Sequence, residues 1–137
     1  MRIKMNKMKA VFILSLFVVV FFSCSIKNDK FFTSTDVIEI KQCVIPDSAM
    51  LGDTVQINAK SQQPNGCWYN LNFVLSKNND TTYRIKAFGS FSNQGQACPA
   101  VLVNKDTIFR FIPLKRGKTL FYISQPTFAT IDTLVVK

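Results

Sequence analysis

Residues 67–76 read CWYNLNFVLS, and the alternation inside that stretch decides the fold. Tyr69, Leu71, Phe73 and Leu75 fall on one side of an extended chain, with Asn70 and Asn72 between them on the other. Successive side chains of a strand point to opposite faces. Apolar residues at every second position therefore mark a half-buried strand, whereas a helix repeats near 3.6. Upstream, Val55, Ile57 and Ala59 keep the same period with polar residues between. Downstream, Tyr83, Ile85 and Ala87 keep it again, and the intervening Arg84 and Lys86 are expected to face solvent.

Followed outward, the pattern predicts eight strands, at residues 36–45, 54–59, 67–76, 81–91, 98–103, 107–113, 118–124 and 131–136. Between them stand Pro46-Asp47 and Gly52, Pro64-Asn65-Gly66, Asn78-Asn79-Asp80, residues 93–95, Asn104-Lys105-Asp106, Arg116-Gly117 and Gln125-Pro126. These residue types supply the fixed or positive φ that turns and corners need. No helical period follows the N-terminal leader. Strands this short and this regularly spaced predict an all-β chain, an immunoglobulin-like antiparallel β-sandwich of about seven to eight strands.

The segment FRFIPLKRGKTLFYI, residues 109–123, resembles the strand–corner–strand unit of exported immunoglobulin-like domains. In that family a proline and a glycine turn the chain, and an aromatic strand returns through the core. The resemblance implies one of two roles for Tyr122: a tyrosine corner with its hydroxyl bonded to the corner backbone, or a plain core tyrosine. Trp68 stands beside Cys67, but its order in the chain differs from that of the core tryptophan in antibody domains, so no such role is carried over.

The dipeptide Asp-Thr recurs as Asp53-Thr54, Asp80-Thr81, Asp106-Thr107 and Asp132-Thr133, each opening or nearly opening an even-numbered strand. If consecutive strands alternate in direction, all four aspartates gather at the end of the sandwich away from the start of the first strand. Local chemistry accounts for the pairs, because Asp closes an Asx-turn and β-branched Thr begins a strand. Four gathered carboxylates would also suit Ca²⁺, a hard cation that takes several oxygen ligands, although no Asp-x-Asp loop is present. The same alternation puts Cys67 and Cys98 at the opposite end, each opening an odd strand, and leaves Cys43 near the far end of the first. A disulfide needs Cα atoms within about 7 Å, so Cys67 and Cys98 are expected to pair and Cys43 to be spare. Lys115, Arg116 and Lys118 are expected in a hairpin at the cysteine end, where three cations would meet solvent or anionic headgroups.

At the N-terminus, MRIKMNKMK carries Arg2, Lys4, Lys7 and Lys9 without an acid, and AVFILSLFVVVFF (residues 10–22) follows. A membrane-crossing helix needs about 20 apolar residues, so a run of about 13 reads as a signal-peptide core. The ending Phe21-Phe22-Ser23-Cys24 resembles the lipobox of bacterial lipoproteins, in the looser form of Bacteroidota-type bacteria. Ser23 matches that family's small residue, Phe21 matches its bulky aliphatic only loosely, and Phe22 replaces a residue that is normally small. The resemblance implies lipidation of Cys24: a diacylglyceryl group on its sulfur, removal of the preceding peptide and acylation (palmitate) of the new amino end. The domains are then a lipoprotein signal peptide at 1–23, a lipidated N-terminus and tether at 24–35, and the sandwich at 36–137. The expected location is the cell envelope, in the outer membrane, with the lipid bilayer as first partner. Two other uses of the leader stay open: an ordinary cut with Ser23 and Ser25 at its −3 and −1 positions, or a short persistent anchor.

Four of the 17 cations and none of the 8 acids lie in the leader, so a net charge of about +5 remains beyond it. That is a mildly basic surface. No run of Lys and Arg interleaved with aromatics suggests nucleic acid. Histidine is absent, which removes Ser-His-Asp and Cys-His chemistry. The cysteines show no CxxC spacing and no Gly-rich phosphate loop appears, so neither enzyme, cofactor nor metal is expected. What remains is a non-catalytic binding or accessory module with an envelope protein partner. The alternative is a small inhibitor or ligand-sequestering protein using residues 61–66 or 92–97, or a carbohydrate binder with Trp68 and Phe91 as stacking platforms. Ile108 and Ile112 oppose Phe109 and Phe111, and Leu120 and Tyr122 oppose Phe121 and Ile123. Strands apolar on both faces are either central and covered or part of a patch for a partner.

Overall fold

Every second residue from Val55 to Gln63 is buried, through Ile57, Ala59 and Ser61, as a strand with one face on a core requires. The computed structural model describes residues 31–137, and they are all β. The strands are β1 (Phe31–Ile38), β2 (Ile40–Val44), β3 (Ser48–Ala49), β4 (Val55–Gln63), β5 (Trp68–Asn79), β6 (Thr82–Gln94), β7 (Val103–Phe111), β8 (Gly117–Ser124) and β9 (Ala129–Val136). They pack as two sheets, a β-sandwich. In the larger, β6 is the long central strand. β5 runs antiparallel along one edge of β6, while β8 (parallel) and β1 (antiparallel) share the other, end to end. β9 lies antiparallel to β8, and β3 adds in parallel at the end of β9. The smaller sheet has the order β2-β4-β7 and is antiparallel.

The chain crosses from the larger to the smaller sheet at Glu39, with Ile38 and Ile40 buried on either side. There the Gln125 side chain acts as a neighbouring strand would. The Ile40 N–H donates to its Oε1 at 2.9 Å, and its Nε2 donates to the Ile40 carbonyl at 3.1 Å. Buried Ser61 is satisfied in the same place, its Oγ donating to the Glu39 carbonyl at 2.7 Å. The core is mostly aliphatic, from Ile38, Ile57, Ile85, Ile123 and Leu134. At one end an aromatic triad joins the sheets, with Tyr83 and Phe121 from the larger and Phe111 from the smaller. Their ring centroids are 4.8, 5.3 and 5.6 Å apart, within the range that aromatic pairs prefer.

Nine strands stand where eight were expected. The strand expected at 36–45 divides at Glu39 into β1 and β2 in different sheets, β3 is added at residues 48–49, and one expected strand is lost. Residues 98–102 form no strand, and Asn104-Lys105-Asp106, expected as a turn, run through β7. β7 is an edge of the smaller sheet, and exposed polar side chains suit an edge because they discourage pairing with other chains. With the expected strand before β7 lost, every later strand runs opposite to expectation. Lys115-Arg116-Gly117-Lys118 therefore turns at the end away from Phe31, where Gly117 pairs with Val136. The sandwich is also not antiparallel throughout, because β6 with β8 and β3 with β9 are parallel pairs. Residues 31–35, expected as tether, already pair with Gln94 through Ser90. The signal peptide, Cys24 and the first part of the tether lie outside the described residues.

Candidate functional site

The outward face of the smaller sheet carries a shallow polar groove. Strand register sets Gln42, Lys60 and Asp106 in one row across β2, β4 and β7. Val44, Asn58 and Ile108 form the next row, and Gln62 stands opposite Asn104 on the other side. Two adjoining depressions over these rows share Gln42, Lys60 and Asp106. Neighbouring strands lie about 4.8 Å apart, so the side chains of a row stand within reach of one small ligand. The Gln62 Nε2 donates to Asn104 Oδ1 at 2.9 Å, which orients both amides, and Lys41 pairs with Glu39 at 2.6 Å nearby. Amide donors and acceptors, one ammonium, one carboxylate and the exposed Val44 and Ile108 suit hydrogen bonding to a polar ligand with apolar contact beside it. Gln42, Lys60 and Asp106 share no motif. Only the register joins them, so nothing local in the sequence marks the groove.

The cysteines fall as expected. Cys67 and Cys98 form a disulfide with Cα atoms 5.3 Å apart. It sits at the Phe31 end, where the Ser92 N–H donates to the Cys67 carbonyl at 3.0 Å. Cys43 is free and half-buried, and burial, then the nearby Asp132 carboxylate, push its thiol up to about 11. A thiol that keeps its proton is a weak nucleophile, so Cys43 acts as a packing group.

The four aspartates do not gather. Asp53 precedes β4 and Asp80 sits in the β5–β6 turn, both away from Phe31, but Asp106 lies within β7 and Asp132 within β9. The lost strand before β7 breaks the alternation that would have aligned them. Among the described residues no group of three or more metal-ligating side chains converges. Asp80 is held instead by Lys115 and by Lys77, the latter at 2.9 Å. Their hydrogen bonds, that from Lys115 first, pull its carboxyl down to about 2.

Trp68 and Phe91 are half-buried and pack against each other. The Trp68 and Phe91 rings meet edge to face at 5.3 Å, and Trp68 lies close over Gly89, where an added Cβ would approach its ring to 3.1 Å. Tyr122 alternates with the buried Phe121 and Ile123, so it lies on the outward face of β8, paired with Arg84 and Ile131 in the ladder. That placement fits neither a core tyrosine nor a corner. Of the proposed binding segments, Ser61 to Gln63 belong to β4 and Ser92 to Gln94 to β6. Compared with family models, curated proteins and solved structures, the chain matches none.

Proposed function

We propose that the protein is a lipid-anchored, non-catalytic binding or accessory module of a bacterial cell envelope. Acyl chains on Cys24 hold it in the outer membrane, and its β-sandwich meets an envelope protein. The disulfide between Cys67 and Cys98 carries this reading, because such bonds form and persist in exported, oxidising compartments. That is the compartment to which a leader ending at Cys24 would send the chain. The exposed groove around Lys60 and Asp106 supports binding as its activity. Replacing Cys24→Ala moves the protein from the membrane to the soluble fraction. Unchanged membrane partition in cell fractionation overturns the anchor. Affinity capture from solubilised envelope tests the partner, and the expected result is one protein in stoichiometric amount.

A second reading, an exported inhibitor or ligand-sequestering protein, draws on the disulfide end. There the turn before β5 and the segment after β6 are fastened together, the Gly66 N–H donating to the Pro99 carbonyl at 2.9 Å. A rigid pair of loops suits insertion into another molecule's cleft. Recovery of a protease in the same capture would select this reading, and recovery of a glycan would select a carbohydrate binder.

A further inference from the structure

The end of the sandwich away from Phe31 combines exposed aliphatic side chains with cations in one place. Three segments build it. The Gly52 N–H donates to the Pro113 carbonyl at 3.1 Å, and the Leu51 N–H donates to the Lys137 carbonyl at 3.1 Å. These bonds fasten the 50–53 turn to the corner before β8 and to the residue after β9. Gly52 and Gly117 hold positive φ, +84° and +107°, which lets both turns close tightly. Four apolar side chains project from the assembled tip and its flank: Leu114 at 75% exposure, Met50 at 58%, Ile112 at 49% and Leu51 at 43%. Burial of Phe111 and Pro113 on either side of Ile112 explains why Ile112 and Leu114 must point outward.

Cations stand at the same end. Lys115, Arg116, Lys118 and Lys137 are exposed there, with Asp47, Asp53 and Asp80 as the local acids. Asp80 is already neutralised by Lys77 and Lys115. Arg116, Lys118 and Lys137 take part in no ion pair among the described residues, so their charge is available to an outside partner.

We propose that this tip docks onto an anionic lipid bilayer. Aliphatic side chains flanked by Lys and Arg match the two layers such a surface presents, an apolar boundary beneath anionic headgroups. A free anion would have no use for Leu114 or Met50, whose exposed aliphatic side chains suit the apolar boundary beneath the headgroups. The tip stands at the far end of the sandwich from Phe31, roughly 40 Å away by the length of β6. A chain anchored through its N-terminus would therefore present the tip to a second membrane surface. The docking itself does not depend on lipid at Cys24.

The test uses the full chain purified from its membrane and bound to phosphatidylcholine vesicles. Phosphatidylglycerol-containing vesicles are then added, and clustering is followed by light scattering. Anionic acceptors are expected to cluster and phosphatidylcholine acceptors not to. At about 1 M salt, where the screening length is ~3 Å, clustering should fall away. Arg116→Glu with Lys118→Glu should lower it on the order of tenfold or more. Met50→Asn with Leu114→Asn, both at exposed sites that leave the core intact, should lower it by a similar factor. If the chain fails to bind the first vesicles, it is floated with anionic vesicles alone, where the tip by itself should carry it upward. Absence of binding to anionic vesicles in both formats overturns the proposal, as does binding that ignores both pairs of substitutions. Loss of a captured protein in Arg116→Glu with Lys118→Glu, without any lipid binding by the parent, overturns it in favour of a protein partner.

Discussion

At Cys43, burial and a neighbouring carboxylate act in the same direction: each disfavours the thiolate, and together they hold the pKa near 11 against an ordinary 9.0. The folded state therefore keeps a proton that the unfolded chain gives up. Stability from this group is complete below about pH 9 and is lost as pH rises toward 11. The same shift makes the thiol slow. At pH 8 the thiolate fraction should be on the order of a hundredfold below that of an ordinary cysteine, with alkylation slowed to match. Peptide mapping after iodoacetamide treatment checks this, and Asp132→Asn should speed the reaction at Cys43. Unchanged alkylation in that variant would show that burial alone sets the pKa. The sequence carried the identity of the spare cysteine but not its carboxylate neighbour. Residues 43 and 132 meet only because β2 and β9 belong to facing sheets.

The crossing from β1 to β2 depends on one side chain that belongs to neither strand. Gln125 closes two hydrogen bonds on the Ile40 backbone, and removing them leaves a donor and an acceptor of a buried residue unmet. Gln125→Ala should cost about 1–3 kcal/mol, read as a fall in the denaturant midpoint with little change of slope. A loss within error would mean that water replaces the amide without penalty. Strands such as β4, β6 and β8 were legible from the sequence because burial on one face writes a period of two into neighbouring residues. Gln125 was not, because its partner is 85 residues away and a glutamine after a strand reads as ordinary loop chemistry. Residues 98–106 misled for a related reason. Val101 and Leu102 look like core but are exposed, and Asn104-Lys105-Asp106 look like a turn but lie in an edge strand. Composition reports a residue's usual surroundings, and an edge strand that faces solvent shares those of a turn. One such misreading reversed every strand after it, so the basic corner moved from one end of the molecule to the other. The groove across β2, β4 and β7 was illegible throughout, since its residues come together only through register.

For the whole molecule the question is how two sheets of unequal size stay together. The larger supplies Tyr83 and Phe121 and the smaller Phe111, and these three rings form the aromatic part of the seam. Phe121 is fully buried and touches both partners, so Phe121→Ala removes contacts from both sheets and should cost about 3–5 kcal/mol. At the other end the disulfide closes a separation of 31 residues, which in the chain-entropy model contributes about 3–4 kcal/mol. Natural domains hold only about 5–15 kcal/mol in total. Neither loss alone need unfold the sandwich, but the two together approach its whole stability. Phe121→Ala is therefore expected to fold when oxidised, with a lowered melting temperature, and to lose its cooperative transition when reductant opens the bond between Cys67 and Cys98. The parent chain under the same reductant should still melt cooperatively, at a lower temperature. The two sites lie at opposite ends and share no neighbour, so their effects should add within about 0.5 kcal/mol. A variant that melts cooperatively without the disulfide would show that the aliphatic core from Ile38 to Leu134 holds the sheets together without either device.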